Sequence, residues 1–186
     1  MKTVRRISLL FLIYLLVAVP FKVMEIIPGF TDIRPVTMLG PIFAIFYGVP
    51  GCCVMAVGNL VMDAVSDSLR WSSIPGFAAN FLGPFLIYLF WIRWSRVPFS
   101  LRNGKSLLKH CMIVCLSAVL EMVLITPAVA LVYPSVDAKL FALTVLVNTA
   151  AFPIVFGIPV MILMQEELGA CPVVRKTQRY SPRQSR

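Results

Sequence analysis

The chain has 186 residues, of which 59% are hydrophobic and 13% are charged, and its formal net charge is +9. Its mean hydropathy is +0.88. These values lie far outside the range of soluble domains and predict an integral membrane protein. A chain of this length leaves no room for a soluble catalytic or ATP-binding domain, and it contains no phosphate-binding Gly-Lys-Ser/Thr loop.

Five apolar regions are long enough to cross a bilayer, which takes about 20 residues in a helix. They cover residues 7–27, 35–65, 75–94, 106–133 and 138–164. The second region is too long for one span, because residues 36–62 alone would form a helix of about 40 Å. Gly48-Val49-Pro50-Gly51 interrupts it, and glycine and proline both break helices. This pattern predicts two short helices in place of one.

The predicted fold is therefore an all-α integral membrane protein, a bundle of six transmembrane helices. The helices are expected near residues 7–27, 35–47, 51–65, 75–94, 106–133 and 138–165. They form one domain over residues 1–170, and residues 171–186 are predicted to be a basic, disordered cytoplasmic tail.

The basic residues indicate the orientation of this bundle. With six helices and a cytoplasmic N-terminus, 13 of the 17 Lys and Arg residues lie on the cytoplasmic side, as the positive-inside rule expects. A five-helix arrangement with the N-terminus outside scores nearly as well, so the charge count alone does not decide. The basic MKTVRR ahead of the first helix and the Gly/Pro break favour six helices with both termini in the cytoplasm.

Two polar residues lie deep inside predicted spans. An ionisable side chain there costs on the order of 3 kcal/mol and usually faces the bundle interior or a cavity. Glu121 lies midway along the fifth helix, and Asn148 lies at a similar depth on the sixth. For Glu121, a ligand contact and a hydrogen bond to a neighbouring helix are equally compatible with the sequence. For Asn148, helix packing is favoured, because Asn commonly links membrane helices.

A second polar set gathers at the predicted outer face, where helix ends and loops meet. Its members are Glu25, Asp32, Arg34, Asn59, Asp63, Asp67, Arg70, Trp71 and Asn80. Asn59 and Asp63 are four residues apart, so they share one helical face. The charged members either neutralise one another as a structural network or, with the aromatic side chains, form a small-molecule pocket.

Catalytic and metal chemistry are poorly supported by the sequence. His110, Cys111 and Cys115 share a helical face, but three such groups at the end of a helix rarely form a metal site. The single histidine is also far from the outer acids, which argues against a hydrolytic triad. The basic charge is explained by orientation and lipid headgroups. We predict no enzyme activity, no catalytic residue, no metal, no cofactor and no nucleic-acid partner.

The run RPVTMLGPIFAIFYGVPGCCVMAVGNLVMD, followed by IPGFAANFLGPFLIYLFW, resembles the substrate-binding membrane subunits (S components) of energy-coupling factor (ECF) transporters. That family carries a similar Pro-rich second helix and similar Gly- and Asn-containing motifs at the next helix ends. The matching residues are Pro35, Pro41, Gly48, Gly51, Gly58, Asn59, Asp63, Gly76, Phe77, Asn80 and Phe81. The resemblance covers residues 31–94, and the remainder agrees in helix count and length.

This resemblance implies a multi-pass cell-membrane protein that captures a vitamin or other small micronutrient at the extracellular face. A transmembrane coupling subunit and two cytoplasmic ATPase subunits would drive its import. The first helix departs from the family pattern, because many members carry an Ala-x-x-x-Ala face there for docking the coupling subunit. Here Ser8 and Ala18 are the small residues, ten positions apart.

Depth along the helices predicts how the polar residues would surround a ligand. The eight expected contacts are Asn59, Asp63, Trp71 and Asn80 around the ligand, Glu25 and Arg34 at the mouth, and Glu121 and Asn148 at the floor. Pro28, Gly29 and Pro35, around Asp32 and Arg34, are expected to shape a lid. The alternative is a membrane ligand sensor or scaffold without transport activity. A membrane-embedded enzyme is a third, less favoured class.

Overall fold

The computed structural model describes residues 2–21, 25–27, 31–95 and 99–175. Its α-helices are α1 (Lys2–Ala18), α2 (Leu39–Tyr47), α3 (Val49–Val65), α4 (Ser73–Leu89), α5 (Gly104–Val132), α6 (Ala138–Phe152) and α7 (Ile158–Glu166). A 3-10 turn, Val19–Phe21, follows α1, and another, Pro35–Met38, leads into α2. A π-helical turn, Phe90–Trp94, extends α4, and a second, Pro153–Gly157, joins α6 to α7. Two short strands, β1 (Glu25–Ile27) and β2 (Thr31–Asp32), pair antiparallel.

Membrane-compatible helices dominate the described part of the chain. Four continuous stretches are long and apolar enough to cross a bilayer: Thr3–Phe21, Ser73–Trp94, Gly104–Val132 and Ala138–Glu166. Two shorter apolar stretches, Pro35–Tyr47 and Val49–Val65, lie between the first and second of these. The predominantly helical architecture with apolar helices of membrane-spanning length is therefore confirmed, and the number of six transmembrane helices stays a prediction.

The predicted break in the second apolar region is confirmed at Gly48. This residue separates α2 from α3 and has a φ of +66°, in the left-handed region that favours glycine. Gly51 lies so close to the backbone of Phe43 that a Cβ there would collide with the Phe43 carbonyl. Pro50 lies in the first turn of α3, where its missing amide donor costs no helical hydrogen bond. The two helices therefore form a tight hairpin.

The first helix differs from its predicted bounds at both ends. It begins at Lys2 rather than near residue 7, and it gives way to a 3-10 turn at Val19–Phe21, which contains Pro20. Glu25–Ile27 then form β1, because the chain has already left the helix. Two residues of the predicted lid, Pro28 and Gly29, lie outside the described residues.

Helix α2 is the centre of the core although it has only 9 residues. Its Ile42 and Phe43 are each 2% exposed, and Ala44 and Ile45 are fully buried. Helix α1 packs on the bundle through Leu10, Tyr14 and Ala18, and the Tyr14 ring lies so close to Gly58 of α3 that a Cβ there would collide with it. A short central helix surrounded by longer ones brings the residues just before it, 34–38, into the bundle interior.

The two ends of the bundle are built differently. One end, here called the β-hairpin end, carries β1 and β2 and the loops that follow α3 and α5. Between these loops, the Arg70 guanidinium lies 6.0 Å from the centre of the Tyr133 ring. At the opposite end, Arg102 forms an ion pair with Glu166, and this hydrogen bond raises the pKa of the Arg102 guanidinium.

The structure describes residues 171–175 of the predicted tail. Val174 is fully buried, and the Arg175 side chain donates to the Phe99 carbonyl at 3.2 Å. Residues 171–175 therefore pack against the loop before α5 rather than forming part of a free tail. Residues 176–186, also predicted to be disordered, lie outside the described residues.

Candidate functional site

Polar side chains inside the bundle form two adjoining groups. The first, the Arg34 network, consists of Arg34, Thr37, Asn59, Asp63 and Asn148. The second, the Glu121 cavity, is a small space whose polar lining residues are Thr37, Asn80, Ser117, Glu121 and Thr149. Thr37 belongs to both. The two groups draw their members from α3, α4, α5, α6 and the 3-10 turn before α2.

The guanidinium of Arg34 is held by two residues of α3. Its Nη1 donates to Asn59 Oδ1 at 2.9 Å, and its Nη2 lies 3.8 Å from Asp63 Oδ1. The Asn59 amide also donates to Asp63 Oδ2 at 3.4 Å, as their four-residue spacing allows. Asn59 and Asp63 are 4% and 8% exposed. The buried carboxylate therefore has an opposite charge beside it, which offsets part of its desolvation cost.

The backbone around Arg34 is held by α6. The Arg34 amide donates to Asn148 Oδ1 at 3.1 Å. The Thr37 hydroxyl lies 2.8 Å from the Arg34 carbonyl and 2.7 Å from the Asn148 carbonyl, and it donates to one of them at a time. Asn148 thus joins α6 to the turn that leads into α2. This is the helix-linking role that the sequence favoured for Asn148.

The Glu121 cavity lies between α2, α4, α5 and the junction of α6 with α7. Its apolar lining residues are Gly40, Pro41, Met55, Pro84, Ile87 and Pro153. The space open to the centres of water molecules is about 20 Å³. A space of that size holds one water molecule or an ion of similar size.

Glu121 is a buried carboxylate with few partners. Its residue is 8% exposed, and Ser117, one turn earlier on α5, donates to Oε1 over a long 3.4 Å. Among the described residues, no Lys or Arg nitrogen lies within 4 Å of this carboxylate. The carboxyl group packs directly against Gly83 of α4, where a Cβ would collide with it. The absence of a side chain at Gly83 is therefore what makes room for Glu121.

The remaining predicted site residues are divided between this interior and the surface. Asn80 lines the Glu121 cavity, and its amide nitrogen donates to the Gly76 carbonyl at 2.8 Å. Trp71 is 73% exposed in the loop between α3 and α4 and makes no hydrogen bond or ring contact with the described site residues. The side chain of Glu25 lies outside what the structure describes, although its backbone forms part of β1.

A second small cavity lies on the other side of the Arg34 network, toward α1. Its lining includes Tyr14, Phe21, Arg34, Asn59 and Met62. The volume that the centre of a water molecule can occupy is again about 20 Å³. The Arg34 network therefore contributes lining residues to both small spaces. Neither space accommodates a vitamin-sized molecule as it stands, so such a ligand requires the surrounding helices to move apart.

Sequence reasoning missed the hydroxyl groups of this interior. Thr37, Ser117 and Thr149 all line the Glu121 cavity. A usable signal exists for Ser117, which precedes Glu121 by one helical turn and so shares its face. For Thr37 and Thr149 the placement depends on how α2 and α6 pack, which no local pattern reveals.

The histidine and cysteines lie apart from both polar groups. His110 is fully buried, accepts a hydrogen bond from Trp91 Nε1 at 3.3 Å, and packs against Phe99. Within the described ranges, no three His, Cys, Asp or Glu side chains are placed to hold a metal ion together. Comparison of the chain with protein-family models, with curated proteins and with solved structures finds no match.

Proposed function

We propose that this chain is the substrate-binding subunit of an ECF-type uptake transporter, which captures a vitamin or other small micronutrient at the extracellular face for ATP-driven import by partner subunits. The observation that supports this most is the convergence of polar side chains from five helical elements inside an otherwise apolar bundle. Arg34, Asn59, Asp63 and Asn80 all belong to residues 31–94, the part of the chain that carries the family resemblance.

The two polar groups suggest how a ligand would be held. A molecule that enters from the β-hairpin end meets Arg34, Asn59 and Asp63 first. Its polar groups compete for the hydrogen bonds that these residues make with one another. Glu121 and Asn148 then lie beneath it. Because the interior spaces are each about 20 Å³, binding requires residues 31–38 to move relative to α3.

The proposal includes a topology and a set of partners. All six apolar stretches cross the cell membrane, both termini face the cytoplasm, and the β-hairpin end faces outside. A transmembrane coupling subunit and two ATPase subunits supply the work, because the chain has no nucleotide-binding loop of its own. The exposed apolar side chains of α1, such as Leu12 and Leu16, then face lipid or the coupling subunit.

Ligand identity and transport are tested in sequence. Mass spectrometry of small molecules released from gently purified protein identifies a retained ligand, and its uptake is then measured in vesicles with and without the coupling subunit and ATPases. We expect binding by the chain alone and uptake only with the partners. Binding without uptake in the complete assembly would favour the sensor or scaffold alternative. Sustained ATP hydrolysis by the pure chain would contradict the proposal.

Topology is tested by labelling a cysteine introduced at Ser72, in the loop before α4, with a membrane-impermeant reagent. The expected result is labelling in intact cells. A matched cysteine at Ser100, in the loop before α5 at the opposite end, should react only after lysis. The reverse pattern would overturn the proposed orientation.

A further inference from the structure

We infer that the Glu121 cavity binds one monovalent cation of about the size of Na⁺, held by the Glu121 carboxylate and the oxygen atoms of the side chains around it. This site shares Thr37 with the Arg34 network but none of its charged residues, and its occupancy does not depend on the proposed transport function. The inference rests on the charge of Glu121, the hydrogen-bond accounting of the cavity lining, and the size of the space.

The first step concerns charge. A carboxylate 8% exposed in the middle of an apolar bundle needs a compensating positive group or a proton. Glu121 lies 17 residues after the start of α5 and 11 residues before its end, about 25 Å and about 16 Å along the helix. Its one described hydrogen bond comes from Ser117 at 3.4 Å and leaves Oε2 without a described partner. The carboxylate therefore has unused capacity to bind a positive charge.

The second step concerns the protein's own cations. Arg34 is the basic residue of the adjoining network. Its guanidinium, however, donates to Asn59 and is shared with Asp63, so it is not an ion-pair partner of Glu121. No other Lys or Arg nitrogen among the described residues reaches the Glu121 carboxylate within 4 Å. The compensating charge is then either a bound proton or a cation from outside the described residues, and the site inferred here is for the cation.

The third step concerns hydrogen-bond direction. The Thr149 hydroxyl donates to the Val145 carbonyl at 2.8 Å, and the Thr37 hydroxyl donates to a backbone carbonyl. Ser117 donates to Glu121, and the Asn80 nitrogen donates to Gly76. Each of the three hydroxyls has one hydrogen and an acceptor for it, so each offers oxygen lone pairs to the cavity, and Asn80 adds its Oδ1 beside its second amide hydrogen. A lining rich in oxygen acceptors suits a hard cation better than a neutral apolar group.

The fourth step concerns size and valence. A space of about 20 Å³ matches one water molecule, and therefore an ion of similar size, rather than an organic ligand. A single carboxylate balances a single positive charge. A divalent ion would leave net charge in a low-dielectric interior and usually recruits more than one carboxylate. A monovalent cation satisfies the charge, the acceptors and the volume together.

The site is tested by cation binding to the purified full-length protein in detergent, without any organic ligand. Radioactive ²²Na⁺ binding is measured by equilibrium dialysis, and thermal unfolding is followed while NaCl, KCl or NH₄Cl replaces choline chloride at constant ionic strength. We expect saturable binding of about one ion per chain and a midpoint temperature that rises with the bound ion, as linkage requires. Glu121→Gln should lower the affinity at least 10-fold, and Asp67→Asn, an exposed acid in the loop after α3, should leave it unchanged.

Two further variants keep the inference testable if Glu121→Gln does not fold. Thr149→Val preserves shape and removes one oxygen, so we expect a roughly 2- to 12-fold loss of affinity. Gly83→Ala should displace the carboxyl group and weaken binding, whereas Gly76→Ala, in the same helix with its nearest atom at 3.6 Å, should not. The inference is overturned if the wild-type protein shows no saturable cation binding, as expected for a protonated Glu121 beside a water molecule. It is also overturned if the folded Glu121→Gln or Gly83→Ala variant binds the ion as the wild type does.

Discussion

The Arg34 network and the Glu121 cavity are both buried polar groups of this bundle, yet their hydrogen bonding differs. In the first, the Asp63 carboxylate faces a guanidinium and a side-chain amide, and the backbone of Arg34 is bound by Asn148. In the second, the Glu121 carboxylate receives one long hydrogen bond from its own helix. The first group therefore acts as a brace that joins α3, α6 and the turn before α2. The second has binding capacity that the described chain does not use.

The largest expected effect comes from breaking the brace. Arg34→Ala removes the guanidinium from the buried Asp63 carboxylate and the Asn59 amide, and removing one member of a buried ion pair costs about 3 to 5 kcal/mol. Because the Arg34 side chain is 26% exposed, we expect about 2 to 3 kcal/mol loss in the free energy of unfolding. Thermal or denaturant unfolding in detergent measures it.

Arg70→Ala is the matched control for this variant, because Arg70 is an exposed arginine that lies 6.0 Å from the Tyr133 ring. Its loss should cost less than about 1 kcal/mol. The double variant Arg34→Met with Asp63→Leu should recover most of the lost stability, because it leaves no unpaired buried charge. If Arg34→Ala unfolds no earlier than Arg70→Ala, the brace interpretation is wrong.

Ligand binding tests one residue from each region, because Asp63 belongs to the Arg34 network and Asn80 lines the Glu121 cavity. Replacing a side chain that hydrogen-bonds a buried ligand costs about 1 to 3 kcal/mol, or roughly 5- to 150-fold in affinity. We expect this loss for Asp63→Asn and Asn80→Ala once a ligand has been identified by mass spectrometry. The comparison variant is Trp71→Ala, which alters a residue of the predicted pocket that is 73% exposed here. Affinity is measured by titration calorimetry and stability by thermal unfolding of the same samples. Normal affinity in Asp63→Asn and Asn80→Ala would place the pocket elsewhere.

The fold was more predictable than the site because its signals are local. Gly48 and Pro50 mark the hairpin between α2 and α3 in the sequence, and the structure has it there. The first helix was extended too far because the apolar run continues past Pro20, where the helix ends. The π-helical turn Pro153–Gly157 lies inside an apolar run and has no periodic signal that separates it from an α-helix.

In the site, the shared face of Asn59 and Asp63 follows from their spacing, and a charge network with Arg34 was one of the two interpretations that the sequence left open. The contact between Glu121 and Gly83 could not be predicted, because it joins residues of α4 and α5 that only tertiary packing brings together. The same holds for the hydroxyls of Thr37 and Thr149, since a Ser or Thr in a helix bonds its own preceding turn whichever way that face points. Contacts between residues one helical turn apart could be predicted from the sequence, and contacts between two different helices could not.

The smallest expected stability change is that of Glu121→Gln, and it sharpens the contrast with Arg34. In cation-free buffer the wild-type carboxylate has no described counter-ion, whereas a glutamine amide carries no charge to be desolvated. The substitution should therefore change the free energy of unfolding by less than about 1 kcal/mol, or stabilise the protein slightly. Thermal unfolding in choline chloride measures this, with Asp63→Asn as the comparison, because that change takes a charge away from an occupied ion pair and should destabilise. If Glu121→Gln is as destabilising as Asp63→Asn under these conditions, Glu121 has a bonding partner in the native bundle, and the two regions do not differ in the way their hydrogen bonds indicate.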